Sequence, residues 1–560
     1  MSISIISLRN SIVSKTASQK VRIFFPASLS LRIPTTVSNR SNTGIFRSLA
    51  TTPSVASGNS PSTTTGASHP YAYVKKVAII GGGVSGLQAL RSCKDAGLDV
   101  VLYEKEKDIS GVWAKNYDGF GLQVESALYY FPDFPMKSVS PGTFPTGPQV
   151  KTYIEDYANH HSLNTLIQRQ TEVVEVKPEG KGWNVTSKNL TNNTSSTTYY
   201  DFVIVATGMY NKPFVPTIPG QSEFKKPYVH SSDFVDANIG KDKHVVVIGG
   251  AKSAIDCAIE ATNHKAKSST IIFRNAHWGT PRKIAGLIPF KFIFLSRFGQ
   301  ALVSWYKGAL PTAPGSVKAA HKVLSPIMGP IFKIVEALFA FQLGQYNHRK
   351  PIDDVVKDFY GFAQVLNSDF KDKIKDKSIN AIQGEIASLT SDSVVLKDGT
   401  KLPCDVLVAG TGFKKSYNFF PKDVQEKLNI DKDGLYLYRN ILSPHVPIVA
   451  FVGSELAVIS NITTYGLQSE WVMRLLTGKL TKPSNETMLQ AIQDHQQWSR
   501  GWMPETSSRS SLVLLHQIHY NDTLLKDMNV SHRRKGINFL AEIFAPYQPQ
   551  DYNGILTYKQ

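Results

Sequence analysis

The sequence predicts an α/β fold containing two Rossmann-like dinucleotide-binding units, and three observations predict it. Lys76-Val-Ala-Ile-Ile-Gly81-Gly-Gly83-Val-Ser85-Gly86 reads as a buried strand, a glycine turn and the start of a helix. His244-Val-Val-Val-Ile-Gly249-Gly-Ala251-Lys-Ser253-Ala254 repeats that order roughly 170 residues later. Each is followed by a second apolar run that closes on a charged residue, Asp99–Glu104 in the first unit and Thr270–Arg274 in the second. One such motif is a weak signal. Two, each on a buried β-run, imply two dinucleotides on one polypeptide, and so electron transfer between them.

The residues of the first unit have separable tasks. Gly81 permits the tight turn, Gly83 lets the backbone approach a pyrophosphate, and Gly86 allows the helix to pack closely. Ser85 stands in the first helical turn, whose N–H groups face the phosphates. Glu104 comes 18 residues after Gly86, where a carboxylate accepts hydrogen bonds from ribose hydroxyls and repels a 2′-phosphate. This site is therefore expected to hold FAD (or NAD) rather than NADP.

The second unit differs at the positions that matter. Alanine replaces glycine at Ala251 and Ala254, on either side of Ser253, as a more loosely approached nicotinamide dinucleotide tolerates. Arg274 comes 20 residues after Ala254, at the place equivalent to Glu104. A guanidinium there binds a 2′-phosphate bidentately, which predicts NADPH over NADH. His277 and Lys283 stand nearby as further candidates.

Composition bounds the rest. A chain of 560 residues exceeds one hydrophobic core, so two or more domains are expected. Of the formal net charge of +18, seven positive charges lie in the first 70 residues, which contain no Asp or Glu. An acid-poor, Ser/Thr-rich, arginine-dotted opening has the composition of an organellar transit peptide; a disordered tail is the alternative. The expected location is the matrix of a chloroplast or mitochondrion after leader removal, or else the cytoplasm. The remaining basic residues form no stripe with interleaved aromatics, which argues against a nucleic-acid partner. Cys93, Cys257 and Cys404 have neither C-x-x-C nor metal-ligand spacing. No metal site is expected, and the redox pair of a disulfide reductase is missing.

No run of 18 uninterrupted apolar residues occurs, so no transmembrane span is expected. The nearest approach begins at Ile284-Ala-Gly-Leu-Ile-Pro-Phe-Lys-Phe-Ile-Phe-Leu295, interrupted by Pro289 and Lys291, and continues apolar and basic to about residue 345. Two readings stay open for it: a buried helical insertion lining a pocket, or a peripheral membrane contact.

Further segments resemble a known family. Phe224-Lys-Lys226-Pro-Tyr-Val-His230-Ser-Ser-Asp-Phe234 resembles the signature of the flavin-containing monooxygenases, with Lys226 in place of its glycine. Gly111-Val112-Trp113 resembles that family's G-G-x-W flavin element, with Ser110 for the first glycine. Val205-Ala-Thr207-Gly208 and Gly410-Thr-Gly412-Phe413 resemble the two A-T-G segments that link its FAD and NADP domains. The resemblance covers the chain from about residue 74 to the end. It looks closest to the plant N-hydroxylating and S-oxygenating branch, through His277-Trp-Gly-Thr-Pro281 and Ala545-Pro-Tyr547 with Asp551-Tyr552.

The resemblance implies a domain plan and a chemistry. Residues 1–70 are leader and linker, and 71–225 the first part of the FAD domain. Residues 226–402 are the NADPH domain with the apolar insertion at about 284–345, and 403–560 return to the FAD domain. NADPH reduces FAD, reduced flavin and O₂ form a C4a-hydroperoxyflavin, and one oxygen atom passes to a nucleophilic nitrogen or sulfur of a small molecule. Val173, with the glycine-turn and A-T-G residues above, joins the cofactor-binding set by the same resemblance. Gln123 falls where many members place an asparagine beside the flavin; a half-buried strand glutamine is the other reading. Gln468, three residues before Trp471, matches a second position near the flavin ring. His230 either orders the linker and the NADP pyrophosphate or is a hydrogen-bonded structural histidine. The rival activities are a Baeyer–Villiger oxygenation of a ketone, whose signature normally carries Trp where Phe234 stands, and an NADPH oxidase or reductase without oxygen transfer.

Overall fold

In the computed structural model, residues 69–555 are described, apart from 308–310, 312, 314, 363, 367–368 and 458–459. The expected leader therefore lies outside the described residues except at its last two positions. Two parallel sheets organise the rest. The first has the strand order Leu442–Ser443, Val446–Phe451, Phe202–Val205, Lys76–Ile80, Asp99–Tyr103, Ile167–Gln168, all parallel except the Leu442–Ser443 edge. The second runs Ile379–Gln383, Ser268–Phe273, His244–Ile248, Val406–Ala409, Tyr228–His230, parallel throughout. The central strands are buried along nearly their whole length, as Val-Ala-Ile-Ile and Val-Val-Val dictate for strands covered on both faces.

Each sheet follows the strand–turn–helix order that its motif predicts. The helices Val84–Asp95 and Lys252–Asn263 follow the two glycine turns, and each buries its apolar face on its own sheet. The first helix also packs against the long helix Asn461–Leu476, which closes the first domain from the far end of the chain. Three antiparallel strands, Thr171–Glu179, Gly182–Asn189 and Ser195–Tyr200, form a separate meander. Its polar Asn/Ser/Thr tip is exposed, as expected of a hairpin loop.

The expected boundary at 402/403 is corrected. Strand Val406–Ala409 pairs with His244–Ile248, so it belongs to the second sheet. The chain returns to the first domain only after Gly410, because an all-apolar Val-Leu-Val-Ala run is stable where both faces are covered. Two strand ends also shift by one residue: Glu104 and Arg274 each follow their strand rather than end it.

The insertion comprises a short hairpin, Lys283–Ile284 with Ile288–Pro289, and then helices Lys291–Phe294, Arg297–Lys307 and Gly315–Leu343. Phe294, Leu295, Met328, Phe332 and Phe339 on these elements join the main core. The expectation of no span is qualified here. Lys318–Leu343 is one helix long and apolar enough, by length and composition, to cross a membrane, with a mean hydropathy of 1.6 over 18 residues. Single prolines and lysines break an uninterrupted apolar run without lowering the average below that threshold.

One guanidinium fastens the insertion to the C-terminal region. Arg297 donates to Glu542 Oε1 (2.6 Å), to both Asp522 carboxylate oxygens, to His532 O (2.7 Å) and to Tyr547 Oη (2.8 Å). Tyr547 in turn donates to Glu542 (2.5 Å). The Ala545-Pro-Tyr547 motif thus anchors the insertion. Arg297→Ala leaves two nearly buried carboxylates without their cation, so it should lower unfolding stability by about 3–5 kcal/mol. A drop in the denaturant midpoint checks this; an unchanged midpoint contradicts it.

Candidate active site

The first glycine turn has no room for side chains. Gly81 adopts φ +108°, and a Cβ there would lie 2.6 Å from Ala206 O; one at Gly86 would lie 1.9 Å from Gly81 O. The helix Val84–Asp95 begins with neither a side-chain cap nor an acidic residue in its first turn. Its leading N–H groups are left for an anion. Ser85 is buried there. Glu104 is buried too: Oε2 accepts from Gly82 N (2.6 Å) and Oε1 from Glu106 N (2.8 Å). Burial raises its pKa against the lowering effect of those two amides. The carboxylate therefore braces the turn with part of its capacity, and lone pairs remain for ribose hydroxyls.

The Ser110–Trp113 element closes over this turn. Ser110 N donates to Gly82 O (2.9 Å), and Gly111 Cα lies 3.7 Å from a Cβ built on Gly83. Ser110 holds φ +97° although it is not glycine, so the backbone keeps the conformation that its glycine-containing counterpart favours, at a cost of about 1–2 kcal/mol. Val112 is half-buried. Trp113 packs on Phe120 at 4.7 Å and donates from Nε1 to Tyr129 Oη (3.0 Å). Val173 is buried in the adjoining meander.

In the second turn Gly249 has φ +133°, and Ala251 caps helix Lys252–Asn263 with extended backbone and no side-chain hydrogen bond. Ser253 lies in that first turn, which carries no acid. Ala254 fits because of a residue with no counterpart in the local motif. A Cβ on Gly410 would meet Ala254 Cβ at 2.6 Å, so the space that a glycine leaves at 410 is filled by the alanine at 254. Arg274 is exposed just past its strand, with no carboxylate at ion-pairing distance among the described residues. A cavity of about 40 Å³ lies against the second turn, lined by Gly250, Phe273, Ala276, His277 and Arg349 among others. Arg349 is the cation that sequence reasoning missed; only the fold of the insertion brings it there. His277 is already committed, to Asp358 Oδ1 (2.9 Å) and to a stacked Phe362 at 3.7 Å.

The two A-T-G-like segments run side by side where the chain crosses between sheets. Lys212–Pro213 pairs antiparallel with Phe413–Lys414. Asn211 and Ser416 exchange hydrogen bonds (3.2 and 3.0 Å), and Asn211 also donates to Thr207 Oγ1 (3.2 Å). Gly208 and Gly412 have φ +68° and +77° and open space where a Cβ would stand. His230 pins the second crossing. Its Nδ1 accepts from Ser232 N (3.1 Å), which leaves Nε2 to donate to Gly412 O (2.8 Å). Burial lowers its pKa, so the neutral ring that this bonding needs is the favoured one. Lys226, in the place of the signature's glycine, pairs with Asp405 at 3.6 Å.

These features fit two bound dinucleotides: two uncapped helix starts, two turns that a Cβ would fill, and two crossings with unobstructed glycines. The model of the flavin-binding monooxygenase-like family matches residues 74–537. The chain belongs to that family. It is a flavin-dependent monooxygenase, an oxidoreductase with FAD and NADP(H) as cofactors. A probable flavin-containing monooxygenase 1 of Arabidopsis thaliana is 27% identical over 521 residues, covering 85% of this chain and 96% of that one. Human flavin-containing monooxygenase 3 is 26% identical over 475 residues, covering 80% and 82%. Two solved structures share the fold. S-allyl-L-cysteine S-oxygenase of Allium sativum has TM-score 0.54, 19% identity and coverage of 81% and 89%. The NADP⁺-bound cyclohexanone monooxygenase of Rhodococcus sp. Phi1 has TM-score 0.61, 16% identity and coverage of 82% and 98%.

The two glutamines of this monooxygenase are placed differently from one another. Gln123 lies in an irregular half-buried segment rather than a strand, and its Oε1 accepts from Val365 N (2.8 Å). It links the first domain to strand Gln364–Leu366 of the second, and its amide NH₂ has no hydrogen-bond partner among the described residues. Gln468 is fully buried, with Oε1 accepting from Gly453 N (2.9 Å) and Nε2 donating to Tyr520 Oη (2.7 Å). The expected catalytic contact of Gln468 is corrected to a positioning one, since both amide arms are engaged. It holds Gly453, where a Cβ would lie 2.5 Å from Ser85 Cβ.

Beyond that loop is a buried acid that no motif marks. Glu455 is completely buried, and neither carboxylate oxygen meets a hydrogen-bond partner among the described residues. Burial pushes it up to about 7, opposed chiefly by the nearby Gln468 amide and least by the Lys415 charge. Burial likewise brings Lys415 down to about 8; its Nζ donates to Ser454 O and to Ser511 Oγ (2.5 Å). Asp118, Asp236 and His264 also converge, with ligand atoms within 4.8 Å of one another. Two of them already accept backbone N–H groups, Asp118 from Ala237 and Asp236 from Asn238.

Two outcomes follow from this geometry. Gly410→Ala should overpack Ala254 and cost about 1–3 kcal/mol; adding Ala254→Gly should recover part of it, and a purely additive double-mutant cycle contradicts the pairing. The raised Glu455 pKa contributes stability that is complete below the ordinary carboxylate value and lost as pH rises through about 7. Glu455→Gln should therefore gain on the wild type in unfolding free energy from pH 5 to pH 8, by up to about 3 kcal/mol. A pH-independent difference would contradict the assignment.

Proposed function

We propose that the first turn holds FAD, the second holds NADPH, and the enzyme transfers one atom of O₂ to a nucleophilic nitrogen or sulfur of a small molecule. The observation that carries this reading is the asymmetry between the two turns. A buried, hydrogen-bonded Glu104 stands at the ribose position of the first, and an exposed Arg274, with no carboxylate at ion-pairing distance among the described residues, stands at that of the second. Bound FAD supplies the two-electron acceptor for NADPH and the means of activating O₂.

The chain's own residues bind, orient and exclude water. Gln123 is the candidate to orient the reacting groups: its carbonyl accepts from Val365 N, and its amide NH₂ has no partner among the described residues. Trp113, Phe120 and Tyr129 wall the flavin side with packed aromatic surface. No nucleophile or acid–base triad is required, because a soft nitrogen or sulfur is itself the nucleophile. The ketone reading has one supporting observation, the fold shared with cyclohexanone monooxygenase. Against it, Phe234 is a fully buried core residue at the position where that signature carries tryptophan. The composition of residues 1–70 supports import into a chloroplast or mitochondrion.

Product analysis tests the reaction class. With NADPH and O₂ the protein should oxygenate a thioether or an amine with consumption of NADPH matched to product, and leave a cyclic ketone unchanged. Lactone as the main product, or peroxide as the only one, would overturn the proposal. Arg274→Ala should raise the NADPH KM by about tenfold or more and leave that for NADH nearly unchanged; equal effects on both would remove Arg274 from the 2′-phosphate site.

A further inference from the structure

We propose that the outer face of helix Gly315–Leu343, continued by segments 287–298 and 537–544, rests on an anionic lipid bilayer. The helix has two unlike sides. Met328, Phe332 and Phe339 are buried in the core, whereas Val323 is 72% exposed, Ile327 59%, Ile331 44%, Ile334 71% and Phe341 68%. Their spacing of three, four and seven residues places them on one stripe, about 27 Å long at 1.5 Å per residue. Neighbouring segments extend the stripe into a surface. Leu287 and Phe292 are exposed in the insertion, as are Ile537, Phe539 and Leu540 near the C-terminus. Phe298 and Phe544 join the two groups, with ring centroids 5.1 Å apart. So many large apolar side chains exposed on neighbouring elements are not ordinary on a protein without a partner for them.

Charge identifies the partner. Residues 281–352 contain ten Lys and Arg and one acid, Glu336. That acid is buried, pairs with Lys333 and accepts from Val355 N. The exposed charge around the stripe is therefore positive, including Lys318, Lys322 and Lys333 on the helix itself. Apolar side chains bordered by lysines suit the boundary between anionic headgroups and acyl chains. A helix that crossed the bilayer would surrender its other side, which fills the protein core, so it lies along the surface. The inference does not depend on which substrate is oxygenated.

Flotation of the full-length, flavin-loaded protein with vesicles tests it. Vesicles of phosphatidylcholine containing phosphatidylglycerol should bind the protein about tenfold or more tightly than phosphatidylcholine alone. Raised salt should weaken that binding, and alkaline carbonate should release it. Ile327→Ser with Ile334→Ser should abolish binding without change in FAD content or melting temperature; should that variant misfold, the lipid and salt dependence of the wild type decides. No binding to either vesicle would overturn the proposal. So would retention after carbonate, which marks a crossing helix, or a dimer that the double variant separates and that binds no vesicles.

Discussion

Everything in this fold depends on the two places where the chain crosses between its sheets. The crossings leave from the C-terminal ends of strands Phe202–Val205 and Val406–Ala409, the ends at which parallel sheets bind their ligands. They are hydrogen-bonded to one another, through Lys212–Pro213 with Phe413–Lys414 and through Asn211 with Ser416. His230 adds a third tie by donating to Gly412 O. Without these ties two dinucleotide-binding units would be two separate proteins on one string. With them, each glycine turn lies against the start of its own crossing, Gly81 at Ala206 and Gly249 at Gly410.

Local rules and their violations are distributed unevenly, and the violations gather at the site. Ser110 keeps a left-handed backbone without being glycine, Ala254 stands where the first unit needs glycine, and Glu455 is a buried acid whose oxygens meet no hydrogen-bond partner among the described residues. Each departure has a physical counterpart nearby: the Gly82 carbonyl that receives Ser110 N, the space at Gly410, and the Lys415 charge. Strain and unpaired groups of this kind persist where surrounding structure over-determines them, which is the usual property of ligand sites.

Much of this was legible in the sequence because it is local. The two turns, the helices after them and the charged residues at Glu104 and Arg274 are set by spacings of about 20 residues, within one βαβ unit. What was not legible depends on distant parts of the chain. Val406–Ala409 reads as a strand in isolation, but its sheet is decided by which neighbours have a free edge. Arg349 reaches the second turn only through the folded insertion, Gly410 completes Ala254 across 156 positions, and Gln468 is taken up by Gly453 and Tyr520. The apolar character of the long helix is hidden from a residue-by-residue reading for a simpler reason. Counting uninterrupted apolar residues ignores that a lysine or a proline changes an average very little over 18 positions.

The proposed function requires one chain to hold two different dinucleotides, told apart by Glu104 and Arg274. An anaerobic titration of the purified protein tests it most directly, with flavin content measured in the same sample. The protein should carry one FAD per chain, fully bleached by one equivalent of NADPH and bleached far more slowly by NADH at the same concentration. Two flavins per chain, or equal reduction by the two nicotinamide cofactors, would contradict it.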